Sequence, residues 1–208
     1  NIIRTGRTLN DMKEYLEINP NANIVEMDTV IGKAEDNKCI LTLYFRNSKL
    51  MLMFLIDKYK PAAVTKVFMQ LRKELGEETF KKLFEIVLTD NGWEFSKPLD
   101  LEIDSKTGEK LINVFYCEPY SSWQKGGIER NHEFIRYIIP KGITFDKLTN
   151  ENILDMMNNI NNVTRRSINN KNPYEMFKEI YGNTITKRLH LLPIKRDEVN
   201  LSYKILIK

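Results

Sequence analysis

Between Ile24 and Ile56 three apolar segments follow one another with only tight turns between them, and that spacing restricts the chain more than any other feature. The first, Ile24 to Ile31 (IVEMDTVI), is rich in branched residues and is closed by Gly32. The polar patch Glu35, Asp36, Asn37 leads into Cys39 to Phe45, and Arg46, Asn47, Ser48 lead into Leu50 to Ile56. Short apolar runs bounded by turn residues read as strands. Connections this short join antiparallel neighbours, because a parallel return needs a crossover of a dozen or more residues. A three-strand antiparallel meander is the expectation. After it, Pro61 suits a first helical turn, and Val64, Val67, Phe68, Leu71 and Leu75 recur at helical spacing up to Gly76, so a helix should cover the sheet.

A short basic segment, Thr79 to Leu83, precedes the apolar run Phe84 to Leu88, which passes straight into Thr89, Asp90, Asn91, Gly92. Residues 96 to 110 are polar and read as a surface excursion before a fifth strand, Leu111 to Cys117. A helix is expected from about Trp123–Gly127 to Tyr137, ended by Pro140 and Gly142. Others are expected from Asn150 to Asn162, with Ile153, Met156, Met157 and Ile160 as its apolar stripe, and from Pro173 to Tyr181. This order is that of an RNase H-like α/β fold, a five-stranded mixed sheet flanked by helices. Residues 24–182 form its core. Residues 1–23 read as a polar lead-in or linker, and residues 183–208 as a basic, strand-like extension.

Composition excludes some classes. At 208 residues, 42% hydrophobic and 29% charged, the chain matches a globular domain. Its apolar runs are broken by charge before they reach a membrane span's length. Cys39 and Cys117 have no metal-knuckle or redox spacing and fall in strand-like segments, which points to a reducing cytosol. The 32 Lys plus Arg against 28 Asp plus Glu leave a net charge of +4, which does not by itself identify a nucleic-acid partner.

Three acids stand out by placement. Asp28 lies mid-strand, on one face with Glu26 and Val30. A carboxylate in an apolar strand needs a partner such as a lysine or a metal ion to remain ionised. Asp90 follows a strand directly, although Asp-Asn-Gly is also common turn chemistry. Glu129 falls in the first turns of a helix, with His132 and Glu133 on its face at i+3 and i+4. Glu133 competes for any role given to Glu129, and each acid taken singly is also compatible with a solvated surface.

The string SSWQKGGIERNHEFIRYIIPKG, residues 121 to 142, closely resembles insertion-sequence transposases of the IS30 type, members of the retroviral-integrase superfamily with DDE catalytic cores. EMDTVIGK (26 to 33) resembles that family's first-aspartate motif and TDNGWEF (89 to 95) its second. INNVTRRSINNKNPYEMF (160 to 177) resembles its later Asn- and Arg-rich stretch. The resemblance implies a catalytic core that cleaves and joins DNA strands during transposition, with Asp28, Asp90 and Glu129 as catalytic residues and metal ligands. Two Mg²⁺ ions, or Mn²⁺ as substitute, would activate the attacking oxygen and stabilise the leaving one. Asn91, Gln124, Lys125, Arg130, Arg136, Lys141, Arg165, Arg166 and Lys171 are candidate DNA contacts, of the kind that track phosphates without reading sequence. His132 could approach the metal site or a phosphate, and core packing is the expectation for Trp123.

The implied partners are double-stranded DNA, at element ends and target, and further copies of the chain. The implied location is a bacterial cytoplasm, at the nucleoid. Relatives recognise their inverted repeats through a separate amino-terminal domain, and the Asn at position 1 agrees with such a segment lying upstream. Two alternatives remain at this stage: an RNase H-like nuclease that does not join strands, and a non-catalytic DNA-binding module derived from a transposase.

Overall fold

A computed structural model describes residues 2–118 and 121–207. Pro119, Tyr120 and the Trp123 side chain, for which packing was expected, lie outside the described residues. The meander is present as β1 (Ile24–Ile31), β2 (Lys38–Phe45) and β3 (Met51–Asp57), paired antiparallel throughout. Strands β4 (Ile86–Thr89) and β5 (Asn113–Tyr116) add in parallel to the other side of β1, giving the order β3-β2-β1-β4-β5. This five-stranded mixed sheet flanked by helices is the RNase H-like architecture.

Helix α1 (Leu9–Ile18) replaces the expected lead-in. Thr8 and Asp11 form a reciprocal capping box at its start. Its narrow stripe, Leu9, Met12 and Leu16, packs on Ile86, Leu88, Phe115 and Cys117. Helix α2 (Pro61–Leu75) buries all five residues of its anticipated stripe, each contributing roughly 1.5 to 3 kcal/mol. Near it, Phe45, Phe68, Phe80, Phe84 and Phe177 form an aromatic cluster. The segment read as merely basic is helix α3 (Glu77–Leu83), and the polar excursion holds a one-turn helix, α4 (Leu99–Glu102). Cys39 and Cys117 are free and buried, and burial pushes their thiols up to about 12 and about 11, so they pack rather than react.

Helices α5 (Gly126–Ile138) and α6 (Asn150–Asn161) agree with expectation within a few residues. Helix α7 (Pro173–Arg188) is broken at Gly182, where φ is 83°. The last segment is not a strand. From His190 onward it runs as a strap over α6, and the Asn-rich composition explains how it is held. Asn158 Oδ1 accepts from Leu192 N (2.9 Å), Asn162 Oδ1 from Ile194 N (3.0 Å) and Asn159 Oδ1 from Asn200 N (2.8 Å). Asn161 pairs with both backbone groups of Met51, at 2.9 and 2.8 Å, which covers part of the β3 edge.

Candidate active site

The parallel register of β1 and β4 aligns Glu26 with Leu88. Continuing it by two residues sets Asp28 beside Asp90, so the sheet itself brings together two acids far apart in sequence. Asp28 Oδ1 accepts from Thr29 N and Asp90 Oδ1 from Gly92 N, both at 2.8 Å. Their Oδ2 atoms converge on one cation, the ammonium of Lys125, which is 3.0 Å from each. Lys125 Nζ also lies 3.4 Å from the Met27 carbonyl oxygen, and its side chain is only 3% exposed.

Two carboxylates face one ammonium in this cluster, in which Lys125 is buried and Asp90 reaches solvent. Burial raises the Asp28 carboxyl above the ordinary aspartate value; Lys125 opposes the shift and Asp90 adds to it. Burial works against the charge of Lys125, yet the two aspartates outweigh it and hold the ammonium above the usual lysine value. The two shifts thus have different leading causes, burial for the Asp28 carboxyl and the paired carboxylates for the Lys125 ammonium.

Two contacts at its first turn seat helix α5 over the same sheet face. The buried Glu26 carboxylate binds Arg46 Nε (2.7 Å) and accepts from Ile128 N in the first turn of α5 (2.8 Å), satisfying one of the helix's free N–H groups. Gly127 lies so close to the Tyr44 ring that a Cβ there would overlap it. Glu129 is exposed on this helix and lines a cleft of about 520 Å³ with Thr29, Ile31, His132, Glu133, Arg136 and Lys141. Among the described residues, no group of three His, Cys, Asp and Glu side chains is gathered so that it could hold a metal ion. The sheet unites the aspartates, and Glu129 does not complete a cluster with them.

His132 points elsewhere. Its Nε2 is 2.9 Å from Thr42 Oγ1, which itself donates to the Asp28 carbonyl oxygen. The ring therefore donates from Nε2, and burial, with the nearby charges of Lys125 and Arg136, lowers its pKa to about 4, which keeps it neutral near pH 7.

The candidate DNA contacts divide by environment. Asn91, Arg130, Lys141 and Arg166 are exposed. Gln124 is engaged through Oε1 with Glu118 N (2.9 Å), and Lys171 pairs with Glu179 at 2.6 Å. Arg136 donates to the Ile31 carbonyl oxygen (2.8 Å), and Arg165 stacks 3.8 Å above the Phe134 ring. Lys125 lies inside, on the acids. Sequence reasoning overlooked Glu94, whose buried carboxylate accepts from Thr29 Oγ1 (2.7 Å) beside Asp28, and Trp93, 71% exposed after Asp90. The strand-end placement of TDNGWEF was the only signal for either.

An RNase H-like domain with an acid pair at the shared edge of its central parallel strands is the class defined by fold and site together. No family model matches the chain. It is 30% identical over 173 residues to the transposase of insertion element IS4351 from Bacteroides fragilis, covering 83% of this chain and 49% of that protein. Identity is also 30% over 172 residues to a putative integrase of a Spiroplasma virus (81% and 51%), and 26% over 153 residues to the IS30C transposase of Escherichia coli (74% and 37%). The chain is a homologue of insertion-sequence transposases, those of IS30 elements among them, and it spans about half or less of these relatives' length. Among solved structures, the BIV integrase catalytic core aligns with a TM-score of 0.48 at 18% identity, covering 77% of this chain and 96% of that one.

Proposed function

We propose that the chain is the catalytic core of a transposase that cuts and joins DNA strands, with Asp28, Asp90 and Glu129 as its divalent-metal ligands. The observation that carries this reading is the meeting of Asp28 and Asp90 on a single buried cation at adjacent parallel strands. The donor set suits Mg²⁺ or Mn²⁺, because three hard oxygens, two of them carboxylate, already surround that cation. Chemistry supplied by a bound divalent pair would be activation of the attacking oxygen and stabilisation of the leaving one.

The chain's own residues bind and orient. The sheet fixes the two aspartates, Glu26 and Gly127 seat the helix that carries Glu129, and the exposed Asn91, Arg130, Lys141 and Arg166 offer contacts for a phosphate backbone. Double-stranded DNA and further copies of the chain are the proposed partners. No described helix is long and apolar enough to cross a membrane, which is compatible with action on cytoplasmic DNA.

The test is a joining assay with a duplex bearing a free 3′-hydroxyl end, in Mg²⁺ or Mn²⁺. Joined product is expected, and Asp28→Asn, Asp90→Asn and Glu129→Gln should each abolish it. Metal-dependent hydrolysis without joining would indicate a nuclease. Activity unaffected by all three substitutions would contradict the assignment.

A further inference from the structure

Lys125 is a buried lysine at the point where two acids converge. It is the residue before α5 begins, in a non-helical conformation (φ −113°, ψ 33°), and α5 carries Glu129 one turn further on. Its ammonium is withdrawn from water and is held by Asp28 Oδ2, Asp90 Oδ2 and the Met27 carbonyl oxygen. An ammonium tolerates such burial only where anionic oxygens replace its hydration.

We propose that Lys125 is the resident counter-cation of the Asp28–Asp90 pair, which a divalent ion must displace in order to bind there. This rests on the reading of Asp28 and Asp90 as metal ligands. A dication and an ammonium drawn to the same two carboxylate oxygens compete for them and repel each other, most strongly on the buried Lys125 side of the pair, so binding of one opposes the other. The exchange is favourable in charge: the ammonium leaves the aspartate pair negative, and a dication neutralises it. The released ammonium is then available to a phosphate oxygen.

The test compares wild-type chain with Lys125→Met, which keeps the apolar stem without the charge, and Lys125→Arg, which keeps the charge. Mn²⁺ is titrated without DNA and the free ion followed by electron paramagnetic resonance. Lys125→Met should bind Mn²⁺ at least about tenfold more tightly than wild type, as expected when a directly opposing charge is removed. Its metal-free melting temperature should fall, and Mn²⁺ should raise that temperature further than in wild type. Lys125→Arg should gain no affinity. Unchanged or weaker Mn²⁺ binding by folded Lys125→Met, with binding still abolished by Asp28→Asn, would overturn the lysine's role alone. Binding insensitive to Asp28→Asn would overturn the acid assignment beneath it. If Lys125→Met does not fold, Lys125→Gln replaces it with the same expected tightening.

Discussion

The two aspartates and the glutamate are held by different kinds of structure. Asp28 stands within β1 and Asp90 just past the end of β4, two residues beyond the last paired position, and their carboxylates receive backbone N–H groups and a buried ammonium. Glu129 stands exposed on α5, which is held to the sheet by Glu26, the close approach of Gly127, the contacts of His132 and Arg136, and its buried isoleucines. The two aspartates are thereby fixed in position, whereas the Glu129 side chain on the helix surface is free to reorient.

The largest loss of stability is expected at Glu26. Removing its carboxylate in Glu26→Ala leaves the Ile128 N–H without its acceptor and Arg46 with only the Gln124 carbonyl oxygen (2.8 Å), and should cost roughly 2 to 3 kcal/mol in chemical denaturation. That lies below the full cost for a wholly buried pair, because 35% of the Arg46 side chain remains in water. Next comes Gly127→Ala, which forces α5 away from Tyr44 and should cost about 1 to 2 kcal/mol, with a larger proportional loss of joining activity. Wild-type stability after this change would mean that α5 does not need its close approach.

A smaller effect concerns His132. Its folded pKa of about 4 lies below the ordinary 6.5, so the unfolded chain binds more protons between those values. Stability is then complete above pH 6.5 and falls as pH drops toward 4, by roughly 1 to 2 kcal/mol between pH 7 and pH 5. Denaturation at the two pH values should show this loss in wild type and not in His132→Gln. Smallest of all, Glu129→Gln should leave stability within about 0.5 kcal/mol of wild type while joining is lost. A destabilised Glu129→Gln would mean that the exposed acid is part of the fold's support.

Much of the fold was legible because strands and long helices announce themselves by period. The meander, α2 and α6 each carry enough branched or apolar residues at regular spacing to be placed within a few positions. Helix α1 was hidden because its stripe is narrow among polar residues, and α3 because seven residues give too little periodicity. The closing strap has no pattern of its own. It takes its shape from asparagine side chains on α6, a tertiary effect that local sequence does not display. At the site, the adjacency of Asp28 and Asp90 followed from strand order. The burial of Lys125 did not, because a lysine beside two glycines reads as a loop cation on the surface.

The most direct test of the acid assignment is calorimetric titration of Mn²⁺ into the wild-type chain, Asp28→Asn, Asp90→Asn and Glu129→Gln. Binding should be lost with either aspartate and weakened less with the glutamate, since the two aspartates already converge on one cation. Equal binding by all four proteins, each folded, would contradict the assignment.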